Sequence, residues 1–312
     1  MKKYYKIIVA SLLAILLFGS LFTGNYFYNF ALNPTVDKSA VASQDSDGEV
    51  DTRLADNQKW FDNNKREYVS TSVTGDKIVG YSFVQNDTSK NNKWVIVTHG
   101  FTTDARYMSN YIKSFYDRGY NVFAPDLIAH GNSEGKAYAM GGYDSSDLVN
   151  WVKKISSEYN NPPIVLFGIS MGAATTINSL NKGLPSNVVG FIEDSGYIRL
   201  KEEFTYQLDK LFGLPSFPVI PLSNLVTKVR AGYNFGDVDA TEALSTTKLP
   251  VLILHGDADG FVPVDNSKEA YNLLTSDKEI HIFKEAKHCQ AERKYNEEYW
   301  SYVDNFLKKV FN

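Results

Sequence analysis

The sequence contains a single cysteine, Cys289, among its 312 residues. One cysteine forms no intrachain disulfide and builds no cysteine-rich zinc site. No cysteine follows the apolar N-terminal run, which excludes attachment as a lipoprotein. The sequence also lacks a Walker sequence, a G-x-G-x-x-G after a strand, and any other metal, flavin or nucleotide motif. We therefore expect no cofactor and no metal ion.

Basic charge is scarce outside the extreme N-terminus. Lys2, Lys3 and Lys6 are the only charged residues before Asp37. Since the formal net charge is −4, the chain from Asp37 onward carries −7. Binding to a phosphate backbone requires a basic surface, so we expect no nucleic-acid partner.

An apolar run follows these lysines, from Ile7 to Phe22. A helix from Ile7 to Phe30 would be about 36 Å long, which is enough to cross a hydrocarbon core of about 30 Å. Aromatic residues cluster between Tyr26 and Phe30, where they would lie at a membrane interface. Residues 1–34 are therefore predicted to be a transmembrane signal-anchor inserted in a lipid bilayer.

The three lysines also predict the orientation of this segment. Positive charge stays on the cytoplasmic side, so a single-pass protein of the cell membrane would place its body outside the cytoplasm. The lack of disulfides fits a bacterial surface better than a secretory-pathway lumen. A cleaved signal peptide shares these features and would give a secreted protein. Its one good cleavage site, Ala40-Val41-Ala42, lies far behind the apolar run, which favours an uncleaved anchor.

Residues 35–59 lack aromatic side chains, and Asp, Ser and Ala dominate them. This composition predicts a polar linker. An alternative is that residues 50–58 already fold as a helix against the body. The remaining segment, 60–312, has the length of one α/β domain, and no internal repeat or second linker divides it.

Short β-branched runs alternate with longer helical patterns in residues 60–312. This alternation predicts an α/β fold class, with a mostly parallel eight-stranded sheet and helices on both faces. Gly75-Asp76 is a hairpin signal between the first two strands, so the sheet should open with an antiparallel pair. The predicted strands are 68–74, 78–84, 94–98, 121–124, 164–168, 188–192, 251–254 and 279–283.

The connection between the sixth and seventh predicted strands is unusually long. It exceeds 50 residues and contains three prolines and many aromatic side chains. Such a connection inside a compact domain is typical of a functional lid. We expect a short helical lid insertion at about 197–246, which also shapes one wall of a pocket; the simpler alternative is that its helices only complete the fold.

Ser170 lies in a G-x-S-x-G motif that runs from Gly168 to Gly172, between a predicted buried strand and a helix of small residues. A nucleophile on a sharp strand-to-helix turn needs a strained backbone and neighbours with little or no side chain. The two glycines permit that close approach, and the serine hydroxyl would project above the sheet edge. The motif in this position predicts a catalytic serine.

Four further motifs occur where the α/β-hydrolase fold family has its catalytic loops, and the chain resembles that family over residues 60–312. The resemblance implies an α/β-hydrolase fold and the chain order Ser, Asp, His for the catalytic triad. The motifs are His99-Gly100-Phe101 after the third strand, the D-x-x-x-H-G-x-S loop from Asp126 to Ser133, the H-G-x-x-D-x-x-V-P loop from His255 to Pro263, and Ala-Lys-His288 after the last strand.

A serine hydroxyl needs a base to take its proton, and an imidazole base needs a third group to hold its tautomer. Of the five histidines, His288 follows the last strand on a loop, whereas the others lie beside glycines or within a strand. His288 is therefore the predicted general base. For the acid, Asp257 and Asp259 stand two residues apart, and the x-x-V-P spacing of the family selects Asp259. Asp257 would then cap a turn, and Asp194 is a further candidate because some branches of the family draw the acid from that position.

The resemblance implies that the backbone N–H groups of Phe101 and Met171 form the oxyanion hole. Cys289 adjoins the predicted base, and we expect an inert thiol there. Asp126 and His130 are expected to shape their loop.

These residues predict an exported, membrane-anchored serine hydrolase that cleaves a carboxylic ester through an acyl-enzyme. Its partners would be a small-molecule ester or an acylated surface component. A serine peptidase or an acyltransferase on the same fold is an alternative. An alternative of another class is a catalytically inactive surface binding module.

Overall fold

The structure, a computed structural model, describes residues 2–42, 48, 51–86 and 92–312. It contains one sheet whose strands are β1 (Arg66–Thr71), β2 (Lys77–Phe83), β3 (Trp94–Thr98), β4 (Asn121–Pro125), β5 (Ile164–Ile169), β6 (Val188–Asp194), β7 (Val251–Gly256) and β8 (Lys278–Phe283). The strand order is β1-β2-β4-β3-β5-β6-β7-β8. β2 is antiparallel to both β1 and β4, and the other neighbours are parallel. The predicted fold class and the antiparallel opening pair are confirmed.

The first strand ends earlier than the sequence predicts, at Thr71 instead of residue 74. The backbone N–H of Ser72 donates to the carbonyl of Asp76, and the N–H of Gly75 donates back to Ser72, which closes a turn. The buried carboxylate of Asp147 also accepts the Ser72 hydroxyl and the N–H of Val73. These local bonds satisfy the backbone groups that a longer strand would have paired with β2.

Helices cover both faces of the sheet. Large buried side chains from the third, fourth and last helices, among them Phe61, Phe115 and Phe306, pack on one face. Residues such as Trp151 and Ile177 pack on the other. The helices are α1 (Lys2–Leu32), α2 (Ser39–Ala42), α3 (Leu54–Asn64), α4 (Ser109–Asp117), α5 (Tyr143–Glu158), α6 (Met171–Ser179), α7 (Leu200–Phe212), α8 (Ser216–Ala231), α9 (Thr241–Thr246), α10 (Asp265–Leu273), α11 (Ala291–Lys294) and α12 (Asn296–Phe311).

Helix α3 begins inside the segment predicted to be a polar linker up to residue 59, so from Leu54 onward the structure shows the alternative, a helix against the body. It is held by polar contacts to the body, since Arg53 pairs with the buried Glu292 at 2.7 Å and the Asn57 amide donates to Asn110 at 2.8 Å. These partners are distant in sequence, so composition alone did not reveal them. Of the predicted linker, residues 43–47 and 49–50 lie outside the described residues.

The long connection between β6 and β7 forms α7, α8, a short 3₁₀ turn and α9. Phe212 of α7 contacts the rings of Phe27 and Phe30 of α1, and helix α8 packs along α1. Gly24 lies at their crossing, where a Cβ would meet the Leu222 carbonyl oxygen at 2.7 Å. Helix α1 is long and apolar enough to cross a membrane, with a mean hydropathy of 2.4 in its most apolar window.

Candidate active site

Ser170 lies on the turn between β5 and α6, with φ of +55° and ψ of −121°. A residue other than glycine rarely adopts this backbone conformation, and such strain is typical of active sites. The flanking glycines make the turn possible. A Cβ on Gly168 would lie 2.3 Å from the carbonyl oxygen of Gly172, and a Cβ on Gly172 would lie 2.2 Å from that of Thr98. These approaches leave no space for a side chain at either glycine.

The predicted base and acid meet Ser170 at the carboxyl edge of the sheet. Asp259 follows β7 and His288 follows β8, and the carboxyl ends of parallel strands share one edge. Nε2 of His288 lies 2.8 Å from Oγ of Ser170, and Nδ1 lies 2.7 Å from Oδ2 of Asp259. In this arrangement the imidazole can take the serine proton while the carboxylate faces the imidazolium that results.

The carboxylate of Asp259 is fixed at both oxygens. Oδ1 accepts the backbone N–H groups of Phe261 and Val262 at 2.9 and 2.8 Å. Burial alone would raise the pKa of Asp259, but His288 and His255 beside Oδ2 hold that pKa well below its usual range. In turn, burial alone would lower the pKa of His288, whereas the Asp259 carboxylate raises it above its ordinary value. Asp259 is therefore an anion at neutral pH.

The other two candidate acids have different partners. Asp257 is exposed, and its carboxylate accepts the backbone N–H of Glu285. Asp194 is buried and accepts the hydroxyls of Tyr299 and Ser195, both at 2.8 Å. Each carboxylate thus holds its own loop.

His255 was interpreted from the sequence as a turn residue, and the structure places it behind the acid. Its Nε2 lies 3.0 Å from Oδ2 of Asp259 and 2.9 Å from the carbonyl of Val262, so this nitrogen carries the proton. Nδ1 lies 2.7 Å from the Ser267 hydroxyl oxygen, which also lies 3.2 Å from a carboxyl oxygen of Glu193. His255 lies near the end of β7, four residues before Asp259, and that spacing gave no signal of the contact.

The remaining histidines have structural contacts. His99 is buried, and its Nε2 accepts the backbone N–H of Leu127 at 2.9 Å. His130 is buried, with Nδ1 2.9 Å from the carbonyl two residues before it. His281 stacks on Tyr302 with ring centroids 3.5 Å apart. Among the residues that the structure describes, no group of three or more His, Cys, Asp or Glu side chains is placed to hold a metal ion.

A narrow apolar cavity opens beside Ser170. The centre of a water-sized sphere can move through about 80 Å³ of it. Phe101 and Met171, the predicted oxyanion residues, lie in its wall; their role as N–H donors stays a prediction. Helices α1, α7 and α8 supply most of the other walls. The lining residues are Phe27, Tyr28, Phe30, Ala31, Leu32, Val41, Phe101, Met140, Ser170, Met171, Tyr197, Glu203, Phe204, Gln207, Leu208, Leu211, Phe212, Val219, Ile220, Ser223, Phe235 and Phe261.

Glu203 is an acidic side chain in this apolar wall, and its place there was not predicted from the sequence. One carboxylate oxygen accepts the Gln207 amide at 2.9 Å, and the other has no hydrogen-bond partner among the described residues. Burial raises the pKa of Glu203 to about 7. The carboxyl is therefore partly protonated at neutral pH, and a bound molecule could use its unpaired oxygen.

Comparison with known proteins agrees with this fold. The family model described as serine aminopeptidase, S33, matches residues 89–231 and 221–291. The chain belongs to this S33 family. Because the structural neighbours of the chain are also α/β hydrolases, the resemblance to that fold family is confirmed, and hydrolase activity is supported.

Several relatives of this S33 family member are similar over most of the domain. The uncharacterized protein YqkD of Bacillus subtilis (strain 168) is 28% identical over 247 residues, which are 79% of this chain and 80% of YqkD. The caffeoylshikimate esterase of Arabidopsis thaliana is 27% identical, with 62% and 70% of the two chains covered. A structure of the Pyrococcus furiosus esterase Pf2001 superposes with a TM-score of 0.63 at 25% identity, covering 80% of this chain and 92% of that one.

Proposed function

We propose that the protein is a serine hydrolase that cleaves a carboxylic ester through an acyl-enzyme intermediate. The observation that carries the proposal is the hydrogen-bonded series Ser170, His288 and Asp259 beside an apolar cavity. A strained serine next to a base is the arrangement that activates a hydroxyl for attack.

In the proposed first step, Oγ of Ser170 bonds to the ester carbonyl carbon while Nε2 of His288 takes the serine proton. The N–H groups of Phe101 and Met171 would stabilise the negative oxygen. As the bond to the leaving oxygen breaks, His288 returns the proton to the alcohol. A water molecule then attacks the acyl-serine with the same base, which releases the carboxylic acid and restores the serine.

An ester is the favoured substrate because the cavity wall is almost entirely apolar. Several relatives also carry the name of esterase or lipase, such as the caffeoylshikimate esterase of Arabidopsis thaliana and the monoglyceride lipase of Mus musculus. A second candidate is an aminopeptidase activity, which the description of the family favours. A third substrate class, an acylated surface component, would use the same machinery, with water or a polymer hydroxyl as acceptor.

The location is also a proposal. Helix α1 would anchor the protein in the cell membrane, with residues 54–312 outside the cytoplasm. Its length and apolar composition support this assignment, since helix α1 as a whole is long and apolar enough to cross a membrane. The three lysines at its start favour a cytoplasmic N-terminus.

A substrate panel tests the proposal directly. The full-length protein in detergent micelles would be assayed on p-nitrophenyl esters and on aminoacyl p-nitroanilides, each beside the S170A variant. We expect hydrolysis of the esters that disappears in S170A, with much slower cleavage of the anilides. Preference for the anilides would assign a peptidase, and equal rates in wild type and S170A would overturn the proposal.

A further inference from the structure

The anchor helix reaches the catalytic serine. Five residues in the last two turns of α1 line the same cavity as Ser170: Phe27, Tyr28, Phe30, Ala31 and Leu32. Leu32 is fully buried, whereas the first half of the helix is exposed. One end of α1 is therefore packed in the hydrolase domain, and the other end is free of it.

Specific contacts fix this end of α1 in place. Arg230 of α8 donates to the side chains of Asn25 and Asn29, and its guanidinium lies 4.1 Å from the centroid of the Tyr28 ring. The backbone carbonyl of Leu32 accepts the N–H of Tyr138 at 2.9 Å. These bonds give the helix one register against the lid, as a wall of a binding site requires.

The packing between α1 and the lid is mainly apolar. The rings of Phe27 and Phe30 both contact Phe212 of α7 edge to face, with centroids 5.1 Å apart. Gly24 lets α8 approach closely, because a larger residue would meet the Leu222 backbone. Loss of α1 would expose this apolar surface and open the cavity to water.

The lid also has an exposed apolar stripe. Pro221, Leu225 and Val229 recur every four residues along α8 and are exposed, and the exposed Phe217 precedes them at a kink in the backbone. Four-residue spacing places side chains on one face of a helix. Because α8 packs along α1, this stripe stands beside the segment that can cross a membrane, where lipid would cover it.

We propose that the last two turns of α1 are part of the substrate site, where they form one wall of a pocket for the acyl chain of a membrane-derived ester. The N-terminal segment is then a determinant of chain-length specificity as well as an anchor. This inference rests on the ester hydrolase function proposed above. It also gives a reason for the segment to stay attached, since cleavage at Ala40-Val41-Ala42 would remove a wall of the pocket.

Two matched substitutions in α1 test the inference. A31F places a large ring in the cavity, whereas A14F makes the same change at an exposed position on the apolar half of the helix. The full-length proteins, in detergent micelles, would be assayed on p-nitrophenyl acetate and p-nitrophenyl dodecanoate. We expect the ratio of kcat/KM for dodecanoate to that for acetate to fall at least tenfold in A31F and to stay within twofold of wild type in A14F.

A second substitution keeps the test decisive if A31F fails to fold. F30A widens the cavity, and the same ratio should rise at least threefold. Unchanged ratios in the folded A31F or F30A protein, with acetate hydrolysis that still depends on Ser170, would overturn the role of α1 alone. Loss of the Ser170 dependence itself would overturn the proposed function instead.

Discussion

Nδ1 of His288 lies 2.7 Å from Oδ2 of Asp259, and the same oxygen lies 3.0 Å from Nε2 of His255. One carboxylate thus holds two imidazoles, of which only His288 reaches the serine. Of the two aspartates that stand two residues apart in this loop, Asp259 is the one that contacts His288. Asp259 is buried beside the base, and Asp257 points into a neighbouring turn.

Replacing Asp259 should therefore cost far more activity than replacing Asp257. D259N leaves a side chain of the same shape but removes the charge that holds the His288 tautomer, so kcat should fall by roughly 10³–10⁴-fold. D257N removes a turn contact and should change kcat less than threefold. Steady-state kinetics on p-nitrophenyl acetate compare the two variants, and a larger loss in D257N would assign the acid role to Asp257.

The pH dependence of the reaction should report the His288–Asp259 pair. His288 must be neutral to accept the serine proton, and the nearby carboxylate raises its pKa. We expect kcat/KM for an ester to fall as the pH drops through a midpoint above the ordinary histidine value of about 6.5. A pH–rate profile of the wild-type enzyme measures this midpoint. A midpoint below 6 would contradict the assigned environment.

The turn that holds Ser170 should not tolerate a methyl group at Gly172. A Cβ there would lie 2.2 Å from the Thr98 carbonyl oxygen, which is backbone and cannot rotate away. We expect G172A to lose about 3 kcal/mol of unfolding free energy, or to fail to fold. A Cβ on Gly236 would meet no neighbouring atom within 4 Å, so G236A is the matched control. Denaturant unfolding of both variants in detergent measures the difference, and equal stability would contradict the close approach.

The buried carboxyl of Asp144 should make stability depend on pH. Burial raises its pKa to about 7, so between about pH 4 and pH 7 the folded protein keeps a proton that the unfolded chain has released. The stability that the protonated Asp144 carboxyl contributes is complete below pH 4 and is lost as the pH rises through 7. The unfolding free energy falls by up to about 1.4 kcal/mol per pH unit in this range. D144N has no proton to release at this position. The difference in unfolding free energy between D144N and wild type should therefore shift in favour of D144N as the pH rises from 5 to 7. Parallel stability curves for the two proteins would refute the assignment.

The sequence was sufficient to predict the features that depend on a local pattern of residues. The G-x-S-x-G turn, the strand alternation and the long insertion before β7 all follow from short-range constraints on backbone and packing. Asp259 was harder, because two aspartates share its loop and the choice depended on a family spacing. The structure places Asp259 beside His288, and its catalytic role stays a prediction.

Long-range contacts could not be predicted in the same way. The start of α3 at Leu54 depends on partners such as Glu292, more than 200 residues away. The insertion of α1 beside Ser170 was missed because an apolar run of this length already has a sufficient explanation as a membrane segment. Glu203 was missed because a charged residue on a polar-looking helix gives no sign that it is buried. In each case the signal lies in tertiary packing and is absent from the local pattern.

The central claim is that Ser170 is the residue that forms the covalent intermediate. Mass spectrometry of the full-length protein treated with a fluorophosphonate tests it most directly, because the reagent bonds to an activated serine and the modified peptide identifies which one. The account predicts one phosphonyl group on Ser170, no labelling of S170A, and loss of ester hydrolysis in parallel with labelling. Labelling of another residue, or labelling that persists in S170A, would contradict it.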